Sequence, residues 1–185
     1  MLFCCFRFCQ KSVSQNECKR GRFSQRLIWV DLEMTGLNPE KDKIMEAAVV
    51  ITDKDLNIVA QSNDLILNVN EEEISNMNDW CKKTHGQSGL STECKLSGLL
   101  AEDADNILTK FVQEHTPPGK CPLAGNSVSN DRVFIRKYLP KLDNHIHFRV
   151  IDVTSIREVI RCVKHSAILS FWTARSLIRK PSWLC

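Results

Sequence analysis

From Leu27 onward, apolar and polar positions alternate in short runs that predict strands at residues 27–33, 44–52, 56–60 and 64–69. The stretch IMEAAVVIT at 44–52 has the Val- and Ile-rich character of a half-buried or buried sheet. A helical period then takes over. Ile74, Met77 and Trp80 form one stripe on a helix predicted over 71–83. Ala104, Ile107, Leu108, Phe111 and Val112 form another over 101–115, ended by Thr116-Pro117-Pro118-Gly119. Short strands at 121–125 and 148–152 alternate with helices at 127–138, stopped by Pro140, and at 154–162. Strands first, then strands alternating with helices, predict an α/β fold in which helices pack on a mixed sheet.

Two acids mark the end of the first strand. Asp31 and Glu33 follow the apolar run Leu27-Ile28-Trp29-Val30 and lead into the turn Met34-Thr35-Gly36-Leu37-Asn38-Pro39. Side chains alternate along a strand, so both carboxylates lie on one face, roughly 7 Å apart. They repel one another unless a cation sits between them, and a divalent metal ion would serve. A strand end exposed to water, carrying plain surface charges, is the other reading of the pair. A third acid, Asp131, shares a helical stripe with Val128, Ile135 and Tyr138 and so faces the protein. It could also simply serve the first turn of its helix, where the dipole favours acids.

Charge is unevenly distributed along the 185 residues. The net charge is +3, yet residues 1–26 hold six Lys or Arg against Glu17 alone, and residues 150–185 hold six against Asp152 and Glu158. Residues 27–149 are left with 13 basic and 19 acidic residues. So acidic a region grips long nucleic acid poorly, which favours a short substrate or a metal-neutralised site. The nine cysteines have no Cys-x-x-Cys spacing, so free thiols are expected rather than a zinc site or a disulfide framework. No apolar run approaches the roughly 18 residues of a membrane span. Residues 1–25 are a basic, Ser-containing leader that suits a mitochondrial transit peptide or a disordered segment. A mitochondrial location is expected on that reading, with a cytoplasmic or nuclear one as the alternative.

The two acidic elements together resemble the three-motif acidic set of the DEDD exonuclease superfamily. The strings WVDLEMTGL (29–37), ITDKDLNI (51–58), NDWCKKTHGQSGL (78–90), PLAGNSVSNDRVFIRKYLP (122–140) and HFRVIDV (147–153) are similar to the oligoribonuclease family. The resemblance spans residues 26–161. It implies a ribonuclease H-like mixed sheet flanked by helices, and a 3′–5′ exoribonuclease that cuts short oligoribonucleotides and dinucleotides to mononucleotides. It further implies two Mg²⁺ or Mn²⁺ ions held by Asp31, Glu33 and Asp131, the catalytic set, and a homodimer acting on short single-stranded RNA. Leu37 and Trp80 would pack on the nucleobases, although Trp80 could equally be core on the Ile74 and Met77 stripe. His85 would lie near the 3′ nucleotide unless it is merely a surface histidine. Ser127, Arg149 and Thr154 would cap the 5′ phosphate, Ser127 opening a helix where free amides favour phosphate and Arg149 offering a bidentate fork.

The chain departs from that family at three places. Phe148 stands where the family has Tyr, and Thr154-Ser155 reverses the family's Ser-Thr order. Beyond residue 161 the resemblance fades, just where the family's closing helix should supply a general-base His and, five positions on, a fourth Asp. Here His165 is followed at that distance by Ser170, and residues 159–185 contain no Asp or Glu. Residues 162–185 therefore read as a divergent tail replacing that helix, after an incomplete exonuclease domain at 26–161. The expected consequence is impaired hydrolysis. The alternative is a catalytically incomplete isoform that acts as a nucleotide-binding or dimerisation module.

Overall fold

The computed structural model describes residues 25–162. The leader and the tail expected from the sequence lie outside the described residues, apart from Gln25 and Cys162. Six strands form one mixed sheet: β1 (Leu27–Met34), β2 (Ile44–Thr52), β3 (Ile58–Gln61), β4 (Leu65–Ile66), β5 (Pro122–Gly125) and β6 (His147–Asp152). Their order is β3-β2-β1-β5-β6, with β4 also pairing to β2. The first three strands meander antiparallel, whereas β1, β5 and β6 run parallel. This is the mixed sheet that the pattern of the chain predicts.

Alternation along β1 and β2 decides what the sheet buries. Ile28, Val30 and Leu32 point to the same side as Ala47, Val49 and Ile51, all buried in the main core. The helices covering that side are α4 (Ala101–His115), through Ala104, Leu108 and Val112, and α5 (Val128–Tyr138), through Val128, Phe134 and Ile135. Gly125, at the end of β5, is required by close approach: a Cβ there would stand 2.9 Å from the Val30 carbonyl oxygen.

Several elements differ from the sequence expectation. The single helix predicted over 71–83 is two: α1 (Glu71–Ser75) and α2 (Asp79–Ser88). Asn70 caps the first in a capping box with Glu73, and the Asn78 side chain caps the second at the Cys81 amide. Gly89, at φ 87°, ends α2 and a further helix, α3 (Leu90–Leu96), begins. Pro140 stops α5 but also opens α6 (Pro140–His145), where its missing N–H costs nothing. Strand β3 starts later than expected because Asp53 Oδ1 accepts from the amides of Asp55 and Asn57, and Leu56 adopts φ 66° in the turn. The last described helix, α7 (Val153–Cys162), has no fully buried residue. No helix among the described residues is long and apolar enough to cross a membrane.

Candidate active site

Strands β1, β5 and β6 end on one edge of the sheet, the usual place for ligands in sheets with parallel strands. Register between β1 and β5 covers Ile28–Leu123 and Trp29–Ala124 only, so Asp31 and Glu33 extend past their parallel neighbour. Both are half-buried. From α5 the Asp131 side chain reaches this strand end, and its Oδ1 accepts the Leu32 amide at 3.1 Å. Asp131 is only 7% exposed. Burial first, and the nearby Asp31 charge second, push its carboxyl up to about 7, against the partial relief of the Leu32 hydrogen bond. Asp131 does stand in the first turn of α5, and its carboxylate also reaches the end of β1.

A fourth carboxylate joins them that was not singled out from the sequence. Glu46 of β2 sits directly opposite Glu33 in the register. Burial, followed by Asp64, Glu93 and Asp31, pushes it up to about 7 as well. Like charges facing across a strand pair destabilise it. The signal in the sequence was an acid inside the otherwise apolar run IMEAAVVIT, visible but ambiguous without the pairing register.

The donor set is oxygen throughout, the chemistry that Mg²⁺ and Mn²⁺ prefer. Among the described residues, no three of His, Cys, Asp and Glu already converge on a cation position. The fit therefore rests on ligand chemistry and on repulsion that a cation would relieve, not on a preformed cage.

The two side chains expected to pack on nucleobases both remain in water. Leu37 is 73% exposed and Trp80 is 64% exposed, whereas Ile74 and Met77 are buried. The break between α1 and α2 takes Trp80 off the stripe, so its core reading is excluded. The loop carrying Leu37 is fixed by Asp42, whose Oδ1 accepts from Thr35 Oγ1 at 3.1 Å and whose Oδ2 accepts from the Asn38 amide at 2.8 Å. Tyr138 Oη donates to the Asp42 carbonyl at 2.7 Å, tying that loop to the helix bearing Asp131.

His85 corrects the reading of it as a surface histidine. It is 2% exposed, not a surface residue. Its Nε2 lies 3.1 Å from the Met34 carbonyl oxygen. A carbonyl only accepts, so Nε2 carries the proton, and burial lowers the ring's pKa. His85 buttresses the end of β1.

Ser127 and Thr154 are brought together, with Oγ and Oγ1 3.0 Å apart. The Ser127 amide, expected to be free, instead donates to Asp152 Oδ1 and Thr154 Oγ1, each at 3.0 Å. The Arg149 guanidinium lies 5.6 Å from the centre of the exposed Phe148 ring.

The family model described as Exonuclease matches residues 28–171. The chain is 49% identical over 138 residues to the human protein named oligoribonuclease, mitochondrial, covering 75% of this chain and 58% of that protein. It is 47% identical over 138 residues to the probable oligoribonuclease of Dictyostelium discoideum, covering 75% of this chain and 73% of that protein. The chain belongs to the oligoribonuclease branch of the exonuclease family. It spans little more than half the length of the mammalian oligoribonucleases it matches, 58% of the human and bovine proteins alike. Among solved structures, E. coli exonuclease I in complex with a dT13 oligonucleotide matches with a TM-score of 0.59 at 12% identity, over 76% of this chain and 30% of that one. Exonuclease I from Methylocaldum szegediense matches at 0.56 and 18%, over 75% and 30%. These likenesses establish the ribonuclease H-like fold of the oligoribonuclease domain. The family match also runs ten residues beyond position 161, where the recognisable strings of the sequence end.

Proposed function

We propose that this oligoribonuclease-family chain binds short single-stranded oligoribonucleotides and hydrolyses them from the 3′ end to mononucleotides. One observation carries the reading: a buried Asp131 carboxylate, held by the Leu32 amide, reaches the open end of β1, close enough for the Asp31 charge to raise its pKa. Asp31, Glu33 and Asp131 would hold two Mg²⁺ or Mn²⁺ ions. Bound there, the ions would supply a nucleophilic water at neutral pH and Lewis-acid stabilisation of the phosphate. The Leu32 N–H orients Asp131, whose carboxyl is raised to about 7 by burial and then by the Asp31 charge, and a cation bound there would favour its ionised form. Exposed Leu37 and Trp80 cover the nucleobases, a contact indifferent to base sequence. The hydroxyls of Ser127 and Thr154, with Arg149, receive the 5′ phosphate and so restrict substrate length, while His85 shapes the wall nearest the 3′ nucleotide.

Turnover is expected to be slow. Residues 159–185 offer no carboxylate, and His165 has Ser170 at the fifth position on, outside the described residues. A missing general base lowers rates by about 10²–10⁴. The same feature favours a second reading, a nucleotide-binding or dimerising isoform without turnover. Pairing of two copies and a mitochondrial location, the latter after the name of the mammalian relatives, belong to this proposal too. Incubating the full chain with a 5′-labelled diribonucleotide and Mn²⁺ tests it. Slow mononucleotide release that disappears in Asp31→Ala is the expected result. Binding without release favours the second reading, and absence of both binding and release contradicts the proposal.

A further inference from the structure

Ser127 is one of two non-glycine residues at positive φ among the described residues, at 55°. Such a conformation persists only where the surroundings hold it. What holds it here is the Asp152 carboxylate at the end of β6. Asp152 Oδ1 accepts from the amides of Ser127 at 3.0 Å and Thr154 at 2.9 Å, and Oδ2 accepts from Ser129 Oγ at 3.3 Å. One side chain thus fixes the segment before α5 and the start of α7 together. The Thr154 hydroxyl has a single proton, and it lies 2.6 Å from the acceptor Asn126 Oδ1. Its oxygen therefore accepts from the Ser127 amide, so the Ser127 Oγ–H is able to turn to a ligand oxygen, and the pair stays side by side only while both backbone segments remain in place.

We infer that Asp152 is a positioning residue for recognition of the 5′ end of the substrate, setting selectivity for a 5′ phosphate over a 5′ hydroxyl without touching the nucleotide. The inference rests on the reading of Ser127 and Thr154 as the phosphate-binding hydroxyls. Asp152 would act through geometry, and its negative charge would be a cost. An asparagine keeps an Oδ1 acceptor for both amides and removes a charge that repels phosphate. An alanine removes the acceptor that joins the amides of Ser127 and Thr154 to Ser129 Oγ, and the segment at positive φ relaxes.

The test is binding of 5′-phosphorylated and 5′-hydroxyl diadenosine ribonucleotide to the full chain by calorimetry, with Ca²⁺ present so that turnover does not interfere. Wild type is expected to prefer the phosphorylated form by about tenfold or more, the scale of charge-assisted hydrogen bonds. Asp152→Ala should bring that ratio within about twofold of unity while keeping affinity for the hydroxyl form, and Asp152→Asn should retain it. A wild-type-like ratio in Asp152→Ala overturns the inference, as does equal loss of both ligands in the alanine variant. No preference in wild type overturns the phosphate reading itself, and Ser127→Ala then leaves the ratio unchanged as well.

Discussion

Asp105 and Asp131 are both buried aspartates on helices that pack against the same sheet, at 2% and 7% exposure, yet their surroundings are opposite. Asp105 Oδ1 accepts from the Leu142 amide at 2.8 Å and Thr109 Oγ1 at 3.2 Å, and Oδ2 accepts from the Lys141 amide at 2.9 Å. It closes the first turn of α6 from the side of α4. Asp131 takes the Leu32 amide and then meets Asp31. A buried carboxylate surrounded by donors holds a fold together, whereas one pressed against a second carboxylate is stabilised only when positive charge arrives.

The largest effect that could break this contrast is on catalysis. Asp31→Ala or Asp131→Asn should reduce mononucleotide release by about 10³-fold or more, from several kcal/mol of lost transition-state stabilisation, and Asp131→Asn, which keeps an acceptor for the Leu32 amide, should do so with no loss of thermal stability. Asp105→Ala should do the reverse, lowering stability by about 2–4 kcal/mol in chemical denaturation as buried amides lose their acceptor, while metal affinity of the folded fraction is kept.

The next effect is on pH. A carboxyl raised in the folded state binds a proton there that the unfolded chain has released, so folding loses stability as pH rises from about 4 through 7. Asp131→Asn removes that loss. It should stabilise the metal-free protein at pH 8, on the order of 2 kcal/mol, and the gain should vanish below pH 4. A gain independent of pH would mean that Asp131, like Asp105, is simply structural. The smallest expected change is at Trp80: Trp80→Ala should weaken dinucleotide binding by about 1–3 kcal/mol and leave the unfolding midpoint where it is.

The contrast itself was only half legible in the sequence. Asp-x-Glu at the end of an apolar strand and Asp131 on an inward stripe were readable because strand and helix periods fix which way side chains point. Asp105 carried no signal, since its partners are backbone amides about 36 residues away. Glu46 was visible but ambiguous and Asp152 was hidden: the first depends on the β1–β2 register and the second on the parallel placement of β6 beside β5. Asn76 and Asn78 broke a helix that periodicity alone joined, and that break is what puts Trp80 in water. Local pattern thus located the elements and the first acids, and tertiary pairing supplied the residues that orient them.

Burial and the Asp31 charge raise the Asp131 carboxyl to about 7, so a cation bound beside them would drive off its proton. Calorimetric titration of the full chain with Mn²⁺ at pH 6.5, in buffers of different ionisation enthalpy, tests this directly. Wild type should bind Mn²⁺ with release of about one proton per chain, a release that falls away at pH 8.5 and is lost in Asp131→Asn. Binding without proton release at pH 6.5, or the same release from Asp131→Asn, would contradict it.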